Sequence, residues 1–311
     1  MEFSHISVLL EETVDGAFGE KSGVYADLTT GGGGHSYELA KRLDRENGGR
    51  LICFDQDSEA LEAAGKRLAG LPVTFVKENF RNLSAVLDKL GIDKLDGIIA
   101  DLGVSSHQLD DAARGFSYKA DAPLDMRMSS EGLSARDVVN EYDFGELKRI
   151  LYEYGEEKFA PKIASGIIAA REKSPIETTG ELADIIKNSV PAAYRREKNP
   201  CRKSFQAIRI EVNDELGALE DALRFGFERL KVGGKMSIIT FHSLEDRIVK
   251  ERFREFCTGC TCPPEFPVCV CGKTPRAELV NKKPITAGEK ELSENPRSRS
   301  AKLRVLKKIK D

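Results

Sequence analysis

Apolar and polar positions follow two different periods in the first hundred residues of this chain. Short apolar runs are separated by segments such as "SYELAKRL" and "SEALEAAGKRL", in which apolar residues recur every three or four positions. Strands that alternate with amphipathic helices are typical of βαβ units, whose strands form a parallel sheet. The strands predicted by this pattern cover residues 24–28, 51–55, 73–77 and 95–102.

The alternation stops after the fourth strand and resumes beyond residue 213. The intervening segments, including "KFAPKIASGIIAAREK" and "TGELADIIKNSV", have helical patterns and no convincing strand. Further on, "KMSIITF" at 235–241 and "AKLRVLKKI" near the end are predicted to be strands. We therefore predict an α/β fold, with a mostly parallel sheet formed by residues 1–106 and 214–311 and an all-helical insertion at 107–213.

Four consecutive glycines follow the first predicted strand, in "YADLTTGGGGHSYELA". Ligands of open parallel sheets bind beyond the carboxyl ends of the strands, so a ligand there can lie against bare backbone. A phosphate-binding loop requires Gly-Lys-Ser/Thr, whereas Gly34 is followed by His35. A dinucleotide motif would require glycine in place of Ser36. The turn therefore favours an adenosine ligand without phosphates, above all S-adenosylmethionine, over a flexible linker, and cofactor contacts are predicted at Gly32, Gly33 and Gly34.

Acidic residues end the second and fourth predicted strands. At the end of strand two, a carboxylate can accept hydrogen bonds from both ribose hydroxyls of a nucleoside. Asp55 continues the strand best, and Asp57 is the alternative. Phe80, after strand three, is placed either against an adenine or in the core. Asp101 ends strand four, which adjoins strand one in such sheets, so Asp101 and the turn at 102–106 are predicted to lie at the reacting centre.

Composition limits location and partners. The chain has 311 residues, of which 40% are hydrophobic, and no apolar run approaches the roughly 20 residues that span a bilayer. Its start, "MEFSHISVLLEE", lacks the basic region of a secretion signal, so we expect a cytoplasmic protein without a membrane partner. The net charge of −3 restricts RNA contacts to local patches. Two basic runs, at 195–203 and 295–311, are candidates, and a solvated surface is the alternative for each.

Five of the seven cysteines lie in "CTGCTCPPEFPVCVC". Cys260, Cys262, Cys269 and Cys271 give the spacing C-x-C-x6-C-x-C, which can bind zinc tetrahedrally, although C-x-C is tighter than the usual C-x2-C. The alternative is a set of reduced, buried cysteines in an irregular loop. The spacing predicts a structural zinc site without excluding that alternative.

Several segments together resemble one known family. They are "HISVLLEE", "DLTTGGGGHS", "DLGVSSHQLD", "PLDMRM", "SFQAIRIEVNDEL", "FHSLEDRIVK" and "ITAGEKELSENPRSRSAKLRVL". In order, from His5 to Leu306, they resemble the bacterial RsmH (MraW) family, methyltransferases of small-subunit ribosomal RNA. The resemblance implies a Rossmann-like class I methyltransferase domain with an inserted helical, RNA-binding domain. It implies methyl transfer from S-adenosylmethionine to N4 of one cytidine in the decoding region of 16S rRNA, near the P site. The family pattern also implies cofactor contacts at Gly33, Gly34, His35, Asp55, Phe80, Asp101 and Gln108.

Methylation of an exocyclic amine depends on positioning, because the sulfonium leaving group is already activated. Asp101, or the carbonyl that follows it, is predicted to accept a hydrogen bond from the amine and so to make its nitrogen more electron-rich. Asp125, with Arg127 in a segment that could cover the site, is a second catalytic candidate. His242 and Asp246 follow strand five and are candidates for holding the base. Helix capping and core packing are the alternatives for these residues.

Two other function classes are compatible with parts of the sequence. A nicotinamide-dependent oxidoreductase shares the sheet and the strand-two acid, but Ser36 occupies the position of its third glycine. A non-enzymatic RNA-binding ribosome-assembly factor would have no use for the glycine turn, Asp55 and Asp101 together. Titration with NAD against S-adenosylmethionine separates these classes from a methyltransferase.

Overall fold

The computed structural model describes residues 7–129, 131–197, 199–263, 268 and 270–311. The chain divides into two compact units. The first unit contains Met1–Gly103 and Leu216–Asp311, and the second contains Val104–Glu215. The boundaries expected from the sequence, after residues 106 and 213, lie close to these divisions.

The described part of the first unit contains one seven-stranded sheet in the order β3-β2-β1-β4-β5-β7-β6. Neighbouring strands are parallel from β3 through β5, whereas β7 is antiparallel to both β5 and β6. The predicted Rossmann-like α/β sheet is therefore confirmed, including the pairing of strand four with strand one. The strands are β1 Val24–Asp27, β2 Arg50–Asp55, β3 Val73–Lys77, β4 Leu95–Asp101, β5 Leu230–Thr240, β6 Ala277–Leu279 and β7 Lys302–Lys308.

Helices follow the first four strands and make up most of the second unit. In chain order they are α1 Leu10–Ala17, α2 Gly34–Ala40, α3 Ser58–Arg67, α4 Leu83–Lys89, α5 Ser106–Asp110, α6 Ala135–Glu141, α7 Phe144–Glu153, α8 Ala160–Arg171, α9 Thr179–Ser189, α10 Ala192–Glu197, α11 Cys201–Asn213, α12 Glu215–Arg229, α13 Ser243–Cys257 and α14 Glu289–Glu294. In the ranges that the structure describes, no helix is both long and apolar enough to cross a bilayer.

Apolar clusters cover both faces of the sheet. Ile52 and Ile98 belong to a cluster that also contains buried residues of α4, α12 and α13. Their strand neighbours Leu51 and Ile99 belong to a second cluster, with residues of α1, α2 and α3. Successive strand residues point to opposite faces, so both faces are buried, as in other sheets built from βαβ units. The second unit has its own core, formed by apolar residues of α6, α7, α8, α9 and α11.

The pattern "SARDVVNEYDFGELKRILYEYG" predicts continuous helix, but the structure divides it into α6 and α7 at Tyr142. Asp143 caps α7: its carboxylate accepts a hydrogen bond from the Glu146 amide at 2.8 Å, and the Glu146 carboxylate accepts one from the Asp143 amide at 2.8 Å. This reciprocal capping box starts a new helix within one amphipathic pattern. Hydrophobic periodicity cannot reveal such a break, because both helices bury the same kind of face.

The final basic run forms β7, and most of its basic side chains are used within the fold. Arg304 Nε and Lys302 Nζ lie 2.7 and 3.0 Å from the carboxylate oxygens of Asp246. Lys308 is fully buried, and its ammonium donates hydrogen bonds to two backbone carbonyl groups. Lys308 is therefore withdrawn from solvent and Arg304 is held by Asp246, whereas RNA contact by the exposed residues of the run 295–311 stays a prediction.

Candidate active site

Carboxylates line the carboxyl-terminal edge of the sheet in the first unit. Asp27, Asp55 and Asp101 are the last residues of β1, β2 and β4, and Glu245 lies in the first turn of α13, after β5. Because β2, β1, β4 and β5 are consecutive in the sheet, their ends bring these four acids to one region, the acidic edge. Asp55 and Asp101 were predicted from the sequence; Asp27 and Glu245 were not. An acid at the end of a predicted strand was the signal available for Asp27.

The glycine turn between β1 and α2 adopts left-handed backbone conformations that favour glycine. Gly31 has φ +49° and Gly33 has φ +78°. A Cβ atom on Gly33 would lie 3.3 Å from Ala64 of α3, and one on Gly34 would overlap the Ser7 hydroxyl. The left-handed backbone and the contact with α3 therefore favour glycine at Gly33, and a side chain at Gly34 would require Ser7 to move. Gly33 is the N-cap of α2 and has no side chain that could accept hydrogen bonds from the amide groups in the first turn of this helix.

Asp55 is joined to the glycine turn, which distinguishes it from Asp57. Its Oδ2 accepts a hydrogen bond from the Gly31 amide at 2.8 Å, and its Oδ1 accepts one from the Asp57 amide at 2.9 Å. Burial raises the pKa of Asp55 to about 6. The Asp57 carboxylate instead caps α3 by accepting a hydrogen bond from the Glu59 amide. A carboxylate has about four acceptor sites, so Asp55 can still accept a hydrogen bond from a ligand.

Asp27 lies at the centre of the acidic edge and is almost fully buried. Its Oδ2 accepts a 2.5 Å hydrogen bond from the Ser36 hydroxyl, and its Oδ1 accepts one from the Thr29 amide at 3.0 Å. Burial raises the pKa of Asp27 to about 6 despite these hydrogen bonds. Ser36, which replaces the third glycine of a dinucleotide motif, therefore ties α2 to the end of β1.

Asp101 has the most strongly shifted carboxyl group of the acidic edge. Burial, followed by the nearby charges of Asp27 and Glu245, raises the pKa of Asp101 to about 8. Its Oδ2 lies 3.7 Å from Nδ1 of His35, whose Nε2 is 2.9 Å from the carbonyl of Val8. Its Oδ1 is buried without a hydrogen-bond partner among the described residues. A buried acceptor of this kind is costly unless a ligand supplies a donor.

His242 and Asp246, predicted as candidates for holding a substrate base, have structural roles in the first unit. His242 is the N-cap of α13, with Nδ1 3.4 Å from the Glu245 amide nitrogen and Nε2 3.2 Å from Glu245 Oε1. Although burial opposes it, hydrogen bonds from Arg304 and Lys302 hold the pKa of Asp246 below its usual range. The capping alternative therefore describes His242, and ion pairing with β7 describes Asp246.

Phe80 follows β3 in a short 3-10 helix of the first unit. Its ring is partly buried and packs against the cluster that contains Leu83 and Val86. The end of β3 is tied to the end of β2, because the Asn79 side chain donates a hydrogen bond to Gln56 at 3.3 Å. Phe80 therefore lies at the carboxyl-terminal edge with part of its ring against the core.

Gln108 and Asp125 belong to the second unit. Gln108 takes part in the capping box of α5: its side-chain oxygen accepts a hydrogen bond from the Ser105 amide at 3.1 Å. Asp125 forms a bidentate ion pair with Arg127, with nitrogen-to-oxygen distances of 3.1 and 2.6 Å. Met126 between them has φ +59°. The Asp125 carboxylate is therefore held by its own neighbour, a geometry that the sequence "PLDMRM" does not specify.

Three of the four predicted metal ligands come together. The sulfur atoms of Cys260, Cys262 and Cys271 all lie within 4.8 Å of one another. Cys269, the fourth, lies outside the described residues. Cys257 instead packs against the core cluster of the sheet.

The chemistry of the acidic edge selects among nucleotide ligands. Ionised carboxylates repel phosphate groups and stabilise cations, and burial raises the pKa values of Asp27, Asp55 and Asp101. A pyrophosphate-containing dinucleotide therefore fits poorly beside Asp27 and Asp101. A nucleoside that carries positive charge and no phosphate fits this set of donors and acceptors.

Comparison with known proteins gives a consistent result over the whole chain. The sequence model of the MraW methylase family matches residues 2–309. A protein of Clostridium botulinum (strain Kyoto) named ribosomal RNA small subunit methyltransferase H is 56% identical over 99% of this chain and 100% of its own length. A protein of the same name from Paenibacillus sp. (strain JDR-2) is also 56% identical, with the same coverage. Among solved structures, a putative rRNA-methylase from Clostridium thermocellum aligns over 98% of this chain and 100% of its own, with a TM-score of 0.45 and 13% identity. With a family match from residue 2 to residue 309, the chain belongs to the MraW methylase family and is a methyltransferase.

Proposed function

We propose that this protein transfers a methyl group from S-adenosylmethionine to N4 of a cytidine in the decoding region of 16S rRNA, within the small ribosomal subunit in the cytoplasm. The observation that carries the proposal is the acidic edge beside the glycine turn, with the unpartnered Oδ1 of Asp101. The name of the relatives, ribosomal RNA small subunit methyltransferase H, supports ribosomal RNA as the substrate.

The residues of the first unit fit the proposed cofactor. Asp55 would accept hydrogen bonds from the ribose hydroxyls, and Phe80 would contact the adenine. The backbone of Gly32, Gly33 and Gly34 would approach the amino-acid end. When bound, S-adenosylmethionine supplies a methyl group on a positively charged sulfur, which the acidic edge would stabilise by charge. In the second unit, Gln108 is a further proposed contact.

Asp101 would act on the cytosine amine. In its ionised form the carboxylate accepts a hydrogen bond from N4–H, which increases electron density on the nitrogen. As the new nitrogen–carbon bond forms, the methyl–sulfur bond would break, and the amine nitrogen would become positively charged with one surplus proton, which the same carboxylate would accept. A carboxyl group with a pKa near 8 holds that proton better than an ordinary aspartate would. The Asp125 carboxylate is paired with Arg127, so we give it no proton-transfer role. His242, whose buried Nε2 has no hydrogen-bond partner among the described residues, stays a proposed residue for holding the base.

The decisive experiment determines which nucleoside is methylated. Purified protein is incubated with unmethylated small subunits and isotope-labelled S-adenosylmethionine, and the 16S rRNA nucleosides are separated by mass spectrometry. We expect label in N4-methylcytidine. Label in another nucleoside would contradict the N4 assignment, and RNA binding without affinity for S-adenosylmethionine would favour an assembly factor. Tight binding of NAD in its place would favour the oxidoreductase.

The second unit would contribute RNA affinity through the run 195–203. Arg196 and Arg202 are exposed. If both contact phosphate groups, their loss should reduce the slope of log K for RNA binding against log salt concentration by about two. We expect the double variant Arg196→Ala/Arg202→Ala to show this change in filter binding at several salt concentrations, with unchanged affinity for the cofactor.

A matched control removes two exposed basic side chains, Arg45 and Lys89, which lie near the amino-terminal edge of the sheet, opposite the acidic edge. We expect Arg45→Ala/Lys89→Ala to leave the slope unchanged. Equal slopes for both double variants would show that the run 195–203 is not part of the RNA-binding surface.

A further inference from the structure

The segment that connects α13 to β6 begins and ends at neighbouring positions in the first unit. The Arg276 amide donates a hydrogen bond to the carbonyl of Phe256 at 2.9 Å, and the Arg276 guanidinium pairs with Glu228 at 2.8 Å. A Cβ atom on Gly259 would lie 3.0 Å from the ring of Pro275. The two ends of the segment therefore run side by side, which brings cysteines that are distant in sequence near each other.

The distances between the three thiols match those of a tetrahedral metal site. The sulfur atoms of Cys260 and Cys271 are 3.7 Å apart, and Cys262 joins them within 4.8 Å. Zinc–sulfur bonds of about 2.3 Å at tetrahedral angles place sulfur atoms about 3.8 Å apart. A disulfide would require a separation of about 2.05 Å.

Backbone amides in the segment point at these sulfur atoms. The Cys262 amide donates to Sγ of Cys260, and the Val270 amide donates to Sγ of Cys262, both at 3.4 Å. Both sulfur atoms are weak acceptors and keep lone pairs that can bind a metal ion. Gly272, directly after Cys271, has φ +64°, and glycine reverses the chain there without strain.

The remaining described cysteines have different surroundings. Burial raises the pKa of the Cys53 thiol to about 12 and that of the Cys201 thiol to about 11, and it also raises the pKa of Cys257. Those thiols stay protonated in apolar surroundings. Cys260 is exposed and Cys262 and Cys271 are half-buried, so an ion can reach all three.

Two apolar side chains that the structure describes in this segment are not buried: Val268 and Val270 are 70% and 74% exposed. Burial of these side chains therefore contributes little to ordering the segment, and metal binding can supply free energy for that purpose. We propose that Cys260, Cys262 and Cys271 bind one Zn²⁺ as thiolates, with a fourth ligand completing the tetrahedron. Each thiol releases its proton on binding, and the ion fixes the segment between α13 and β6.

The test measures metal in the full chain, independently of methyl transfer. Protein produced with added zinc and purified under reducing conditions without chelator is analysed by elemental mass spectrometry. We expect close to one zinc per chain, and at least a tenfold loss in Cys260→Ser and Cys271→Ser. Cys257→Ser is the matched control and should keep its zinc, because Cys257 packs against the core instead.

A second measurement covers the case in which a variant folds poorly. Reduced, metal-free wild-type protein is titrated with Co²⁺, and thiolate-to-cobalt absorption with the visible bands of a tetrahedral site is expected. Zinc below about one tenth per chain together with no such absorption would overturn the proposal. So would a Cys260–Cys271 disulfide in the purified protein, or equal loss of zinc in Cys257→Ser.

Discussion

Asp101→Asn is expected to lower the single-turnover rate of methyl transfer by about 10²–10³, because one preorganised electrostatic contact in an active site is typically worth that much. The amide keeps the shape of the side chain but cannot take the proton that the amine loses. Wild-type rates should rise with pH, with a midpoint at or below about 8, since the ionised carboxylate is the active form and a bound cation favours ionisation. The rise should disappear in the variant. Rates are measured with cofactor and RNA both saturating.

A matched control is available at the other end of the same strand. Asp93 precedes β4, at the edge opposite the acidic edge, and its side chain is 89% exposed. Asp93→Asn makes the same chemical change, and its rate and pH profile should follow the wild type. An Asp101→Asn rate within about threefold of wild type would exclude a catalytic role, and weakened cofactor binding alone would assign Asp101 to the cofactor.

The same substitution is expected to stabilise the cofactor-free fold at neutral and alkaline pH. Asp101 binds its proton up to pH about 8 in the folded protein, whereas an unperturbed aspartate releases it near 3.8. Folding therefore loses stability as pH rises between these values. Asparagine removes this penalty, so the difference in free energy of unfolding between variant and wild type should grow by up to about 1.4 kcal/mol per pH unit and level off above pH 8.

Urea unfolding of both proteins between pH 5 and pH 9 measures this difference. The side chain of Asp101 remains 21% exposed. Solvent screening therefore makes the gain in free energy of unfolding smaller than the pKa shift alone would give. Asp93→Asn should show no growth with pH. A constant difference between Asp101→Asn and wild type would show that Asp101 has an ordinary pKa, which would also remove the basis for its role as proton acceptor.

A loss of activity combined with a gain in stability would be the expected sign of a functional site. Burial disfavours the ionised forms of Asp27, Asp55 and Asp101, and the charges of nearby carboxylates add to that cost. The fold tolerates this cost because strand ends hold the carboxyl groups in place. A cationic ligand at the acidic edge would recover part of that free energy on binding.

The α/β class, most of the strands, and the positions of the glycine turn, Asp55 and Asp101 at strand ends can be predicted without the structure, because each depends on local sequence. A period of two or of 3.6 residues and an acid at a strand end need no knowledge of distant partners. Three residues of strand, as in Ala277–Leu279, are too short to give such a signal. The helix break at Asp143 required a capping geometry rather than a period.

The burial and the partners of individual charges and thiols depend on tertiary contacts that the sequence pattern does not show. Asp246 pairs with Arg304, 58 positions away, and Lys308 is buried although it lies in a basic run. Burial raises the pKa of Asp27 and of Asp101, and nearby carboxylates add to both shifts: Asp55 acts on Asp27, and Asp27 and Glu245 act on Asp101. The sequence spacing suggested that cysteines could meet, but the convergence of Cys260 with Cys271 depends on how both ends of their segment attach to the first unit. Burial, charge and ligation depend on neighbours in space, and those neighbours are chosen by packing between segments that are distant in the sequence.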